Sequence, residues 1–257
     1  MTVFVADYPG ASVEPSPNHG ERSNGRKPDM IVLHYTGMPG ADQALSWLCS
    51  DESQVSSHYF VHEDGRIVQL VAEGRRAWHA GKSSWAGESD INSCSIGIEI
   101  ANPGHPGGLP DFPAAQIKSV ADLCLNCGER WSIPPERVLG HSDVAPIRKV
   151  DPGENFPWEK LHIDGVGHWI DPTQISGGRF FQHGESGQPV EALQSMLSLY
   201  GYAIEITGHF CDRTKGVVEA FQRHFRPQLV DGIADFSTID TLHRLLTSLP
   251  KYRRPQG

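Results

Sequence analysis

Two periodicities alternate along the first two thirds of the chain. Met30-Ile-Val-Leu-His-Tyr35 is a short apolar run between turn-forming residues, the pattern of a buried central strand. From Ser95 to Ala101 the alternation is strict: Ile96, Ile98 and Ile100 share one face, and Gly97, Glu99 and Ala101 share the other. A carboxylate therefore stands between two very small residues, which predicts open space in front of it. The segments 58–61 and 66–71 flank Glu63-Asp64-Gly65 and predict a hairpin, and 138–141 reads as a short strand or strand end. Helical spacing appears over 42–49, with Asp42 as N-cap and Ala44, Leu45, Trp47 and Leu48 as the apolar face, and again over 114–131. The interleaving predicts an α/β domain, a mixed sheet flanked by helices, over residues 1–163.

The texture changes at both ends of this domain. Residues 1–28 are rich in Pro, Ser, Asn and Gly and predict an extended lead-in. Residues 164–183 gather Gly, Asp, Pro and Ser and predict a linker. Beyond it, over 184–257, three helical faces recur: Val190, Leu193, Leu197 and Tyr200; Val217, Val218, Phe221 and Phe225; Ile239, Leu242, Leu245 and Leu246. They predict a small all-α three-helix domain, near the lower size limit for independent folding.

Composition narrows the functional classes. The net charge is −9 without a basic run, which argues against nucleic acid, because phosphate binding needs clustered Lys and Arg. No apolar stretch is long enough for a transmembrane helix. The first residues carry neither a basic n-region nor an apolar h-region, so a cytoplasmic protein is expected, with a periplasmic or cell-wall location as the alternative. The five cysteines do not form a disulfide framework. Cys124-Leu-Asn-Cys127 is a CxxC, but a zinc knuckle needs a second pair, so these thiols read as half-buried helix residues.

With 13 histidines, no single one is informative by composition. His34 stands out by its place on a buried strand. His141 and Asp151 stand out by their segment, in which Asp143 and the prolines imply a fixed loop, the setting in which ligands and catalysts sit. Two His and one carboxylate make a three-ligand zinc set with an open fourth position for water.

The first domain resembles the type-2 N-acetylmuramoyl-L-alanine amidases, the AmpD-like family. The matching segments are Ser16-Pro-Asn18 with Arg22, Ile31 to Gly37, Ser56 to Phe60, and Glu63 to Arg66. They continue, in order, with Ala77-Trp-His-Ala-Gly81, Ser95 to Ile100 with Asn102, and Gly140 to Pro146 through Lys149-Val-Asp-Pro-Gly153. The resemblance implies Zn2+ on His34, His141 and Asp151, with Glu99 and Lys149 assisting catalysis. It also implies substrate contacts at His79, Tyr35 and Asn102. His58 is left open between a core histidine and a support for the site. Residues 184–246 are similar to the type-1 peptidoglycan-binding domain. The implied partner is peptidoglycan or a muropeptide, and the implied reaction is hydrolysis of the amide between N-acetylmuramic acid, in its 1,6-anhydro form or not, and L-alanine. Two rivals remain at this stage: a peptidoglycan recognition module without catalysis, and a zinc peptidase, for which no HExxH helix is present. The sequence is silent on oligomeric state.

Overall fold

The computed structural model describes residues 4–178 and 180–252. The strands are β1 (Ala11–Val13), β2 (His19–Glu21), β3 (Met30–Tyr35), β4 (Tyr59–Val61), β5 (Ile67–Gln69), β6 (Arg75–Ala77), β7 (Ser95–Ile100) and β8 (Val138–Gly140). The α-helices are α1 (Ala41–Leu48), α2 (Ile91–Cys94), α3 (Ala114–Trp131), α4 (His141–Val144), α5 (Trp158–Ile163), α6 (Gln188–Tyr200), α7 (Asp212–Phe225) and α8 (Phe236–Ser248).

Six strands form one mixed sheet in the order β1-β5-β4-β7-β3-β8, and β2 pairs with β6 in a separate ribbon. β3 runs parallel to β7 and to β8, and β4 is antiparallel only to β5, its hairpin partner. β3 and β7 are central and almost wholly buried, as continuous or alternating apolar runs flanked on both sides should be. The isoleucines of β7 join the α3 residues Ile117, Val120 and Cys124 in one apolar cluster. On the opposite side Ala44, Leu45 and Leu48 of α1 pack with Phe60, Val68 and Ala101. This is the expected α/β architecture, and both faces of the sheet are covered.

Several local expectations are corrected. The lead-in is not all loop: β1 and β2 are three-residue strands whose existence depends on the register offered by β5 and β6, so no periodicity announces them. Gly40, not Asp42, is the N-cap of α1; Asp42 lies in the first turn, where its charge suits the helix dipole. Trp47, expected on the apolar face, is 42 % exposed. His141 belongs to the one-turn α4 rather than to a strand end. Cys124 and Cys127 are buried on α3, and burial pushes the Cys124 thiol up to about 12, so neither has thiolate character.

The three C-terminal helices bury the faces read from their spacing, apart from the partly exposed Ile239. They do not stand apart. One apolar cluster runs from the sheet through Trp85, Trp158 and Trp169 into Tyr200, Tyr202, Phe221 and Phe225. Val166 and Trp169, inside the expected linker, are buried, and Trp169 stacks on Phe225. Trp85 and Tyr202 face each other in an isolated antiparallel bridge, and Ala86 N–H donates to Gly201 O at 2.7 Å. The segment 164–170 is therefore part of a packed joint, not a free tether. No helix among the described residues is long and apolar enough to cross a membrane.

Candidate active site

Sheet register brings the first two site residues together. In the parallel β3/β7 pair His34 stands opposite Glu99, and Val32 opposite Gly97. His34 and Glu99 therefore project side by side from one face. β8 delivers the chain to His141 immediately after Gly140, next to Leu33 in register. The following turn returns Asp151: Ser142 N–H donates to Asp151 O at 2.9 Å, which closes the segment on itself.

His34 Nδ1, His141 Nδ1 and Asp151 Oδ2 converge. The two nitrogens are 2.9 Å apart, and the carboxylate oxygen lies 3.1 Å from His34 Nδ1 and 3.0 Å from His141 Nδ1. All three side chains are buried. Two imidazole nitrogens and a carboxylate oxygen facing one another this closely are donors that a single cation would satisfy together. Two His and one carboxylate make a donor set that suits zinc. It is the only metal-competent cluster of His, Cys, Asp and Glu found among the described residues.

Hydrogen bonds outside the triangle select the free nitrogens. The Ser95 hydroxyl donates to Ile91 O at 2.6 Å, so toward His79 Nε2, 3.1 Å away, Ser95 Oγ must accept. His79 therefore carries its proton on Nε2, and its Nδ1 accepts from His34 Nε2 at 3.0 Å. That leaves the His34 Nδ1 lone pair for the metal. His141 donates Nε2–H to Ala80 O at 3.1 Å, which frees its Nδ1 likewise. Such outer contacts commonly fix ligand tautomer and ring orientation.

Burial, then the neighbouring His141, lowers the His34 pKa to about 4, so the ring is neutral at neutral pH. Burial alone would raise Asp151, but His141 and His34 outweigh it and hold the carboxyl below its ordinary range. Glu99 is pushed well above the ordinary carboxylate range by burial and by Asp151, with Lys149 opposing. Its Oε2 is shielded from solvent and has no hydrogen-bond partner.

A cavity of about 400 Å3 lies over this face and brings together seven of the expected residues: His34, Tyr35, His79, Glu99, His141, Lys149 and Asp151. Asn102 is not in its wall. Its side chain is spent on the loop that follows β7, accepting from Gly104 N–H at 2.8 Å and donating to Pro110 O at 2.9 Å. Tyr35 is at the rim, with its hydroxyl 3.0 Å from His105 Nδ1. The open space expected in front of Glu99 is half filled: a Cβ on Gly97 would lie 2.4 Å from the His79 ring, so the missing side chain makes room for a histidine rather than a ligand. His58 is a core strut, accepting Gly97 N–H on Nδ1 and contacting Arg75 O through Nε2.

Sequence reasoning missed Ser95, although it shares the alternate face of Gly97 and Glu99. It also missed a contact from the C-terminal helices. Asp143, two residues from His141 and fully buried, accepts from Gly140 N–H at 2.8 Å and from Tyr202 OH at 2.6 Å, and it faces His224 Nδ1 at 2.7 Å. His224 in turn stacks on Trp158 at 3.7 Å.

Comparison with known proteins is specific. Residues 24–154 match the N-acetylmuramoyl-L-alanine amidase family, and residues 186–242 match a putative peptidoglycan binding domain. The N-acetylmuramoyl-L-alanine amidase AmiD of Escherichia coli K12 is 38 % identical over 226 residues, covering 81 % of this chain and 79 % of AmiD. The structure of E. coli AmiD with the substrate anhydro-N-acetylmuramic acid-L-Ala-D-gamma-Glu-L-Lys superposes with a TM-score of 0.72 at 37 % identity, over 85 % of this chain and 88 % of that one. AMPDH3 of Pseudomonas aeruginosa, bound to an anhydromuramic pentapeptide, gives a TM-score of 0.68 at 29 % identity over 95 % of this chain and 96 % of that one.

Proposed function

The chain belongs to the N-acetylmuramoyl-L-alanine amidase family and is a hydrolase of that kind, and we propose from this premise how its own residues do the work. His34, His141 and Asp151 would hold Zn2+. The bond cut is the amide between the lactyl carbonyl of N-acetylmuramic acid, in the anhydro form or in polymer, and the L-alanine that opens the stem peptide. The observation that carries this reading is the pairing of a three-donor centre with Glu99, the register neighbour of His34.

Zn2+ held there would polarise the carbonyl and acidify a water. Glu99, whose carboxylate has no hydrogen bond to spend on the protein at its buried oxygen, accepts the proton of the attacking water and passes it to the departing alanine nitrogen. Its environment favours the protonated form, which suits the second half of that shuttle. Lys149, in the same cavity wall, sets a positive charge against the oxyanion that forms as the carbonyl carbon becomes tetrahedral. The balance is simple: the C–N bond breaks, the carbonyl carbon gains the water oxygen, and the nitrogen gains its proton. The C-terminal helices, matched to a putative peptidoglycan binding domain, raise the local concentration of polymeric substrate.

Mass spectrometry of a soluble muropeptide after incubation with zinc-loaded protein tests this. A free peptide beginning with L-alanine, with the sugar released whole, is expected. Intact muropeptide, bound but uncut, would leave the recognition-module reading instead.

A further inference from the structure

A second cleft, of about 410 Å3, opens beside the catalytic cavity, and Arg148 lines both. One wall is the metal-bearing segment from Val144 to Arg148, the other carries Lys82 and Ser84, and Ala203 and Arg213 close it from the C-terminal helices. Three cations thus face one cleft with no Asp or Glu in its wall, in a chain whose net charge is −9.

The cleft is braced. Arg148 Nη2 donates to Ala80 O at 2.6 Å and to Lys82 O at 3.1 Å, tying the metal-bearing segment to the backbone that carries Lys82. Ser84 N–H donates to Val144 O at 2.8 Å across the two walls. Arg213 is steered by its own bond to Ala203 O at 2.7 Å. A Cβ on Gly201 would lie 2.4 Å from the Trp85 indole, so the joint behind the cleft is closed to the last ångström. Much of the Arg148 guanidinium is committed to this bracing, which leaves Lys82 and Arg213, both exposed, as the available charges.

A peptide whose first amide sits at the metal extends by about 3.5 Å per residue, so two or three residues take it beyond the catalytic cavity. If the second residue is glutamate linked through its side chain, as in the peptide bound to AmiD, its α-carboxylate projects free, and the peptide terminus adds another. We propose that Lys82 and Arg213 form an anion subsite for these stem-peptide carboxylates, with the C-terminal helical unit supplying half of it. The proposal rests on the amidase reading above and adds to it: the helical unit reads the peptide of the bond being cut, besides any hold on the wall.

Three soluble muropeptides test it: one with both carboxylates free, one with the glutamate α-carboxylate as carboxamide, and one with the C-terminus as carboxamide. Wild-type protein is expected to prefer the free acid at one of these positions by roughly tenfold in KM, the scale of a hydrogen-bonded charge pair. The position identifies which carboxylate is held. R213A and K82A should each shrink that preference, the double variant should abolish it, and R213E should reverse it. Circular dichroism melts confirm that the variants fold. A wild type indifferent to both changes, or a preference that survives in the double variant, overturns the subsite. A wild type that cuts none of the three overturns the amidase reading itself.

Discussion

At His34 the nitrogen left without a proton is decided two side chains away. The Ser95 hydroxyl, committed to Ile91 O, turns His79 into an acceptor, and His79 then takes the only proton that could block His34 Nδ1. S95A breaks the relay at its source, in a side chain that touches neither metal nor substrate. It should weaken zinc binding by about 10- to 100-fold in chelator competition, the usual cost of losing an outer partner of a ligand. Unchanged affinity would mean that the His79 tautomer is set elsewhere. His58 makes a second prediction at this scale. Burial, and then Arg22, hold its pKa down to about 3 in the folded state, whereas the unfolded chain takes up that proton near 6.5. Between these values the unfolded state binds more protons, so stability falls as pH drops from 6.5 toward 3, by about 1.4 kcal/mol per pH unit from this group. Urea melts of H58N should show a shallower acid slope than the wild type at the same metal loading. A parallel slope would assign the acid sensitivity to other groups.

At the scale of elements, the strands that carry the site were legible because their apolar pattern is intrinsic. The alternation of β7 placed Glu99 on the face opposite the isoleucines, and the buried run of β3 placed His34 in the core. What fills the space around Glu99 was not legible, since it depends on where the loop after β6 comes to rest. Gly97 read as open space in front of Glu99; it is room for His79. The same holds for β1 and β2, which are strands only because β5 and β6 offer partners. G97A therefore makes a sharp test of how tightly β7 and the His79 loop are fitted. Its backbone suits any residue, so the added methyl acts only by displacing the imidazole. The variant should lose metal affinity together with activity, and a crystal structure should show His79 rotated off the strand. Full metal binding with His79 in place would mean that the strand yields instead.

Across the whole molecule, the segment that carries His141 and Asp151 is held from both sides. The sheet side contributes β8 and the 140–151 turn, and the helical side contributes Tyr202 and His224, whose contacts to Asp143 end two residues from His141. These contacts join residues 59 and 81 positions apart, a separation no local pattern reveals. Asp143 is fully buried, so its oxygens depend on all three partners, and removing one should cost about 1–3 kcal/mol. Y202F deletes only the hydroxyl and keeps the ring against Trp85. If the helices merely tether the enzyme to its wall, this change lowers the melting temperature and leaves the metal alone. If they also position His141, hydrogen exchange over 138–153 rises and zinc affinity falls. Turnover of a soluble muropeptide, too small to need a wall anchor, falls with them. The second pattern is expected, because Asp143 and His141 share a single helical turn that cannot shift at one end without moving the other.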